Sequence, residues 1–423
     1  MNDQSQGDRR YRVAVIGAGI VGVSTAIWLQ RKGHDVVLID REGPAAGTSY
    51  GNAGVLAACS VVPVTVPGLI GKVPKMLLDG DSPLFLRWTY LLRLMPWLRQ
   101  YLKHCNPEDV RRIAKALTPI LSDTLAQHQA LAQDTPAAEF IRPTDYYFVY
   151  ENRSIFEAEA LSWGIRRECG YEWEELDTDE LIARDPGFAG GSSGFAVSVG
   201  KHGFITDPGR YVKTLAEYFL QQGGNIFVGS VDDLQGHQGW VSGVVTDNGV
   251  VECERAVVAT GVWSEALTRK LGVRVPMEAE RGYHVEFYGA DRLPQHPSMI
   301  ASGKFVATPM TGRLRCAGIV EFGGLKALAS RKPLDLLRRQ VHAVFPGITY
   351  DRTEEWLGHR PAPVDSIPLI GELGELSGVY AGFGHQHVGL TGGAKTGRIL
   401  ADLISGHDPG LDMTPYRPDR FSA

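Results

Sequence analysis

The 423-residue sequence contains few cysteines and lacks any long apolar stretch. Its cysteines are scattered along the chain: Cys59, Cys105, Cys169, Cys253 and Cys316. They form no C-x-x-C pair, so we expect neither a disulfide framework nor a metal site, and a reducing compartment is favoured. No run reaches the ~18 apolar residues of a membrane-spanning helix, and the polar segment 1–12 lacks the apolar core of a secretory signal. We therefore expect a cytoplasmic protein.

An excess of charge of one sign is also missing. The chain carries 43 basic and 48 acidic residues, a formal net charge of −5, which gives no electrostatic footprint for nucleic acid. No internal repeat or low-complexity tract is present. With this length, the chain is long enough for two domains.

Glycine, in contrast, is abundant at 50 residues, and its arrangement near the start of the chain is informative. The apolar run 13–16 predicts a buried parallel strand. After it, Gly17 permits a tight turn, Gly19 lets the backbone approach a pyrophosphate, and Gly22 lets helix and strand pack closely. A second strand ends at Asp40, near the ~20-residue spacing of the carboxylate that accepts from a ribose hydroxyl. The segment predicts dinucleotide binding at a helix N-terminus, without a 2′-phosphate.

Two later segments also predict a close approach to a flat ligand. Residues 256–259 read as a buried strand with a sharp exit at Thr260-Gly261. Residues 378–404 read as a strand, a glycine-rich loop and a helix over 393–403. The N-terminus of that helix would offer positive potential to the N1–C2=O edge of a flavin ring. An NAD-dependent enzyme would leave this loop unexplained.

Taken together, the sequence resembles the D-amino-acid oxidase family of FAD enzymes, in particular its bacterial D-amino-acid dehydrogenase and D-hydroxyproline dehydrogenase branch. The motifs that carry the resemblance follow in the family's order: Gly17–Gly22 with Asp40, Thr48–Gly54, Ala259–Gly261, Arg313–Gly324, Gly358–Pro361 with Asp365, Pro368 and Gly371, and Gly384–Gly397. They extend over residues 11–406.

The resemblance implies an α/β fold with a discontinuous Rossmann-like FAD-binding domain and an α+β substrate domain built on a mixed or antiparallel sheet. Its implied boundaries are 10–58, 198–264 and 355–415 for the FAD-binding domain, and 59–197 and 265–354 for the substrate domain. Within the latter, alternation over 275–325 predicts antiparallel strands.

The resemblance also implies a reaction. An FAD-dependent oxidative deamination of a D-amino acid would transfer a hydride from Cα to flavin N5 and give an imino acid, then a keto acid. Hydroxyproline, glycine or sarcosine is the alternative substrate, and Gly384–Gly389 is closer to relatives that act on cyclic or secondary amines. A flavin-bearing electron-transfer subunit of a hetero-oligomer is the alternative of another class.

Arg360 is implied to bind the substrate carboxylate, which suits a planar guanidinium that donates two parallel N–H bonds. A structural salt bridge is its alternative role. Tyr283 is a candidate for the substrate side of the flavin, with Tyr146 and Tyr147 as weaker ones. His385 and His387 can assist deprotonation, or serve only as hydrogen-bonding groups of the loop.

The expected FAD-binding residues come from each of these motifs. They are Gly17, Ala18, Gly19, Ile20, Val21, Gly22, Asp40, Arg41, Thr48, Ser49, Asn52, Ala53, Gly54, Val231, Ala259, Thr260, Gly261, Trp263, Arg360, Gly384, His385, Gln386, His387, Val388, Gly389, Leu390 and Thr391. Some family branches attach the flavin through a histidine where this sequence has Gly51, and others through a cysteine, whereas Cys316 lies outside the flavin-edge loop. We therefore expect non-covalent FAD.

The electron acceptor (quinone, dye or oxygen) is not indicated by the sequence. Residues 84–102 are rich in leucine, tryptophan and tyrosine with interspersed arginines, and such a helix can lie in a membrane interface. Pro96 interrupts it, and packing against a neighbouring domain is the more common explanation. Peripheral contact with the inner face of the membrane is therefore a secondary expectation.

Overall fold

The computed structural model describes residues 12–65, 67–68, 71 and 82–421. The strands within them are β1 Arg12–Ile16, β2 Asp35–Asp40, β3 Val55–Leu56, β4 Leu84–Leu86, β5 Ile141–Tyr150, β6 Glu174–Asp177, β7 Phe195–Ile205, β8 Asn225–Val228, β9 Val231–His237, β10 Trp240–Thr246, β11 Gly249–Glu252, β12 Arg255–Val258, β13 Met277–Tyr288, β14 Ser298–Ile300, β15 Phe305–Met310, β16 Arg313–Phe322, β17 Arg352–Pro363, β18 Leu369–Glu372 and β19 Val379–Phe383.

The α-helices of the same residues lie between these strands, partly in consecutive groups. They are α1 Ile20–Arg31, α2 Leu91–Lys103, α3 Pro107–Leu121, α4 Thr124–Ala132, α5 Arg153–Glu157, α6 Ala160–Glu168, α7 Thr178–Arg184, α8 Pro208–Gln221, α9 Ser264–Lys270, α10 Arg331–Val344 and α11 Gly389–Ile404. None of them is long and apolar enough to cross a membrane.

A six-stranded sheet in the order β18-β19-β12-β1-β2-β8 forms the first layer. All of its pairs are parallel except that of β18 with β19. Its central strands are short runs of buried apolar residues, because helices cover one face of the sheet and strands β9–β11 pack against the other. Side chains from α1, α3, α8 and α11 form a common core with β1 and β2.

A larger mixed sheet forms the second layer, in the order β17-β13-β16-β15-β14-β5-β7-β3, with β4 paired to β16 and β6 to β7. Most of its pairs are antiparallel, as the sequence alternation predicts. Strands β9–β11 form a separate antiparallel sheet of three strands. The Rossmann-like sheet and the mixed sheet confirm the predicted fold class.

The strands of the parallel sheet come from the three segments that the sequence assigned to FAD binding. Two strands cross the predicted boundaries, however. Strand β7 spans residue 198, and β17 spans residue 355 while pairing with β13 along its whole length. The division into domains therefore stays a prediction, since both of these strands belong to the mixed sheet along their whole length.

Helix caps and helix starts near the site have clear local causes. The Asp207 carboxylate caps α8, because it accepts from the N–H of Arg210 at 3.0 Å. The last helix begins at Gly389 rather than at residue 393, which brings its first turn into the loop before it.

Candidate active site

A cavity of about 510 Å³ opens at the carboxyl ends of the central parallel strands, the usual ligand position in such sheets. Many residues expected from the sequence line it: Gly17, Gly19, Ile20, Val21, Asp40, Arg41, Thr48, Ser49, Asn52, Val231, Ala259, Thr260, Gly261, Trp263, Gly384, His385, Gln386, Gly389 and Leu390. Others line it without having been predicted, including Glu42, Gly229, Ser230, Asp232, Lys270 and Pro361.

The turn from β1 to α1 has the geometry that its glycines predict. Gly17 has φ +103°, and a Cβ at Gly22 would lie only 1.8 Å from the carbonyl oxygen of Gly17. The N–H of Ile20 donates to Ser49 Oγ at 3.0 Å. The first N–H groups of a helix have no partner within the helix, so those at the start of α1 can bind an anion.

Asp40 is held firmly at the end of β2. Its carboxylate accepts from the N–H groups of Ala18 (2.8 Å), Glu42 (2.9 Å) and Gly43 (3.0 Å). A carboxylate has about four acceptor positions, so one remains for a ribose hydroxyl. Next to it, the Arg41 guanidinium stacks over the Trp263 ring at 4.2 Å.

The loop 48–54 is tethered by side chains of the mixed sheet. The Arg315 guanidinium donates to the carbonyl oxygens of Tyr50 (3.0 Å) and Asn52 (2.6 Å). The His284 imidazole lies 3.0 Å from the carbonyl of Gly51, and Thr308 donates to that of Ala53 at 2.7 Å. The carbonyls of residues 50–53 therefore all point at the sheet.

A buried ion cluster orients Arg315. Glu286 accepts from Arg313 at 2.5 Å and from Nε of Arg315 at 2.8 Å, and Nη2 of Arg315 lies 2.7 Å from the same oxygen. Arg313 also pairs with Asp207 at 3.1 Å. Burial opposes the charge of Glu286, but the two arginines outweigh it and lower its pKa to about 2. Gly54, with φ +83°, ends the loop where a side chain would meet the backbone of Ile205.

The glycine-rich loop near residue 384 forms the opposite wall. Gly384 has φ +87° and Gln386 φ +47°, so the chain turns sharply before α11 begins. His385 is buried, and its Nε2 bonds Thr396 Oγ1 at 2.9 Å. Burial lowers the pKa of His385 to about 4, so the neutral ring serves as a hydrogen-bonding group of the loop.

Residues 388–391 fix the start of α11. Val388 packs in the core, and Thr391 Oγ1 donates to the carbonyl of Val55 at 3.2 Å. The carbonyl of Leu390 bonds His128 Nε2 at 2.8 Å. The N-termini of α1 and α11 consequently line the same cavity.

Arg360 lies on β17 directly opposite Glu280 on β13. Its guanidinium covers Gly282, where an added Cβ would lie 2.5 Å from the guanidinium carbon. It makes no hydrogen bond or ion pair with a described residue. Desolvation lowers the pKa of Arg360, and Glu280 partly offsets this.

His387 belongs to the same region. Its side chain is exposed, yet desolvation and the charge of Arg360 lower its pKa to about 4. His387 therefore lies near Arg360. Neither residue is among those that line the cavity, but their chain neighbours Pro361 and Gln386 are.

The tyrosines expected at the site lie elsewhere. Tyr283 is buried in the core on the other face of β13, because neighbouring strand residues point to opposite faces. Its hydroxyl donates to Glu321 at 2.6 Å and accepts from the N–H of Ser330 at 3.0 Å. Tyr146 is buried in another core, and Tyr147 stacks on His296 at 4.6 Å. We therefore do not retain them as active-site residues.

The model of the family described as "DAO: FAD dependent oxidoreductase" matches residues 12–403. The chain belongs to this family. A D-amino-acid oxidase of Bradyrhizobium diazoefficiens is 38% identical over 416 residues, 97% of this chain and 98% of the relative. A D-amino acid dehydrogenase of Rhizobium rhizogenes is 29% identical, over 97% of this chain and the full length of the relative.

Solved structures share the DAO fold at lower identity. Glycine oxidase from Geobacillus kaustophilus has a TM-score of 0.73 at 20% identity, covering 97% of this chain and 99% of that chain. L-amino acid deaminase from Proteus myxofaciens has a TM-score of 0.74 at 18% identity, covering 97% and 94%. The protein is thus an FAD-dependent oxidoreductase with an established fold.

The cavity fits the cofactor of the DAO family. A Cβ at Gly22 or Gly17 would meet backbone at 1.8 and 2.5 Å, so the first turn is tight enough to expose backbone N–H groups. Asp40 retains one acceptor position, and two helix N-termini face the cavity. The residues that would hold FAD therefore come from the turn 17–22, Asp40, the loop 48–54 and the start of α11.

Proposed function

We propose that this chain oxidises a D-amino acid to the imino acid, which water converts to the keto acid. The observation that carries the proposal is Arg360, a guanidinium that makes no hydrogen bond or ion pair with a described residue and lies near His387, next to the cavity-lining residue Pro361. An arginine without a protein partner close to a cavity is suited to a carboxylate ligand. The names of the two relatives, D-amino-acid oxidase and D-amino acid dehydrogenase, support a D-amino acid.

FAD, when bound, supplies the oxidant, since its ring accepts the electron pair of the substrate Cα–H bond. The residues of the chain contribute position and electrostatics. Arg360 would bind the substrate carboxylate through two N–H groups and so fix the orientation of Cα. The imidazole of His387 is neutral at pH 7 because its pKa is about 4. It adds no positive charge beside the substrate ammonium and can accept a hydrogen bond from it.

The test compares Arg360→Ala with the wild-type holoenzyme. Loss of a bidentate charged contact should raise KM for D-amino acids by roughly two to three orders of magnitude, while flavin content and the visible spectrum stay normal. The measurement is anaerobic flavin reduction by D-alanine, L-alanine, glycine, sarcosine and D-hydroxyproline. An unchanged KM would overturn the assignment of Arg360.

The same screen addresses the other substrates. The fold is shared with glycine oxidase and with L-proline dehydrogenase from P. horikoshii, so amines other than D-amino acids are the second candidates. Preferential reduction by glycine, sarcosine or hydroxyproline would replace the D-amino acid. Turnover with a dye acceptor by the purified chain would exclude a subunit that only transfers electrons.

The proposal includes non-covalent FAD. At Gly51, a Cβ would lie 2.1 Å from the Trp356 ring, which stacks on His284 at 5.2 Å. A histidine at this position would displace the Trp356 ring. The Trp356 ring therefore occupies the space that a flavin-attaching histidine at residue 51 would need. Acid precipitation should release all of the flavin into the supernatant, and yellow pelleted protein would contradict this.

The membrane proposal concerns the segment 84–103. The face of α2 with Leu94, Trp97 and Tyr101 packs against the sheet, and Trp97 donates to the carbonyl of Ala362 at 2.9 Å. Trp88 and Leu92 remain 60% and 86% exposed. We propose that Trp88 and Leu92 contact a membrane surface, where a quinone accepts the electrons of the reduced flavin. Flotation with anionic vesicles should be lost in a Trp88→Ser, Leu92→Ser variant, and absence of wild-type flotation would contradict the contact.

A further inference from the structure

Glu280 is a buried acid without the partner that such a group normally has. It is 4% exposed, and it makes no hydrogen bond or ion pair with a described residue. Burial of a carboxylate is costly unless hydrogen bonds or opposite charge compensate it. Arg360 lies opposite it across the β13–β17 ladder but not within ion-pair distance.

The other acids on the same face of β13 do have partners. Glu278 accepts from the Tyr90 hydroxyl at 3.1 Å and from the N–H of Ala279 at 2.8 Å. Glu286 pairs with two arginines. Hydrogen bonds and ion pairs within the protein therefore explain why these two carboxylates are buried, but they do not explain the burial of Glu280.

Other polar groups without partners surround Glu280. The Tyr101 hydroxyl is buried, and although it comes near Ser366 and Gln386, neither forms a hydrogen bond of good geometry with it. Glu280 interacts electrostatically with both Tyr101 and Arg360. Gln386 lines the cavity. A carboxylate, a guanidinium and a hydroxyl thus lie close together next to the cavity-lining residues Pro361 and Gln386, and none of the three forms a hydrogen bond with a described residue.

We propose that Glu280 receives the ammonium group of an amino acid whose carboxylate is bound by Arg360. This inference rests on the proposed function and names a second substrate-binding residue for it. An α-amino acid carries its ammonium and carboxylate groups on the same carbon, Cα, so it fits between two opposite charges that lie near each other but do not pair. The Tyr101 hydroxyl then has a hydrogen-bond partner in the substrate or in Glu280.

Glu280 also determines which ligands this site rejects. Arg360 alone would attract any carboxylate, whereas the pair of charges matches a zwitterion and disfavours a simple anion. Because the keto acid product lacks the ammonium group, it is bound more weakly than the substrate. Burial raises the pKa of Glu280, so its carboxylate can also take the ammonium proton: the N–H bond breaks, an O–H bond forms, and the neutral amine required for oxidation remains.

The test uses Glu280→Gln in the holoenzyme, with D-alanine and propionate as probes. We expect KM for D-alanine to rise at least tenfold and Kd for propionate, measured by calorimetry, to fall at least fivefold. A variant that merely displaced Arg360 would weaken the binding of both ligands. A rise in KM for D-alanine together with a fall in Kd for propionate therefore identifies the effect of the Glu280 charge. Glu278→Gln, a buried acid of the same strand, is the matched control and should change both values less than threefold.

Propionate binding that is unchanged or weaker in Glu280→Gln, with flavin content retained, would overturn the proposal. If Glu280→Gln does not fold, Glu280→Asp replaces it in the experiment. Because Glu280→Asp keeps the negative charge, it should keep the wild-type preference for D-alanine over propionate. Loss of that preference would contradict the proposal. If no amino acid reduces the wild-type flavin, the proposed function fails, while the propionate titration still reports on Glu280.

Discussion

At the scale of single residues, the glycines of the first turn were predictable, because the close packing of β1 and α1 leaves no room for side chains at these positions. The face of the sheet to which a strand side chain points was not predictable. Every residue of β13 from Met277 to Phe287 is buried, so burial alternation does not reveal which face borders the cavity. A bulge between Gly282 and Tyr283 further alters the register with β16. The core position of Tyr283 and the position of Glu280 on the opposite face are therefore not predictable from the sequence.

The residue-scale prediction concerns Gly22. In Gly22→Ala the added Cβ would lie 1.8 Å from the Gly17 carbonyl oxygen, so the turn must open. Overpacking of this kind costs about 1–3 kcal/mol, and we expect it to weaken FAD binding by roughly tenfold or more. Flavin content after purification measures the effect.

Gly164→Ala is its matched control. Gly164 also lies in a helix, α6, but a Cβ there would meet no atom within 4 Å, so flavin content should remain at the wild-type level. Equal flavin content in both variants would show that the close contact at Gly22 does not control the site.

At the scale of elements, the long strand β17 was the main omission. Its segment contains adjacent acids at 354–355 and prolines at 361 and 363, so neither alternation nor propensity predicts a strand. It forms because its whole length pairs with β13, and as an edge strand of the sheet it tolerates proline. Arg360 was identified by resemblance, but its position opposite Glu280 depends on this long-range pairing.

The element-scale prediction concerns the loop 48–54 and the ion cluster that holds it. Arg315→Met removes the donor to the carbonyls of Tyr50 and Asn52. Removal of one partner of a buried ion pair destabilises a protein by about 3–5 kcal/mol, and here the loop is also released. We expect a lower melting temperature and a Kd for FAD at least tenfold higher, measured by titration of the apoprotein.

Arg313→Met separates these two effects. Arg313 pairs with the same Glu286 but bonds no carbonyl of residues 50–53. It should lower the melting temperature comparably and leave the FAD affinity closer to wild type. A similar loss of affinity in both variants would mean that the cluster, and not the tether, determines binding.

At the scale of the whole molecule, the order of the motifs predicted a nucleotide-binding sheet assembled from three distant segments, and the sheet has this composition. The borders were less predictable, because β7 and β17 belong to the mixed sheet and cross the expected boundaries. Motifs report where a ligand is bound, whereas the extent of a strand depends on its partners.

The whole-molecule prediction concerns acid stability. His128 is fully buried between Tyr211 and the carbonyl of Leu390, and burial lowers its pKa to about 4. Below pH 6.5 the unfolded chain binds a proton here that the folded chain does not, so stability falls as the pH falls from 6.5 to 4. The loss is up to about 3 kcal/mol at this site, and none is added below pH 4.

The measurement is the melting temperature of wild type and His128→Gln between pH 4 and 7.5. The variant should be less stable at pH 7.5, and its melting temperature should depend less on pH. An equal pH dependence in the two proteins would assign the acid sensitivity to other groups, such as His284 and His385, whose pKa values are lowered to about 3 and about 4.

The parallel sheet has a consequence for biosynthesis. Strand β1 is synthesised long before β19, which pairs with β12 and ends at Phe383. Until β19 has been synthesised, the nascent chain carries an incomplete nucleotide-binding sheet with apolar strand edges uncovered. Cofactor binding must therefore follow the synthesis of β19 and α11, and a chain that terminates before them would be degraded rather than be a partially active enzyme.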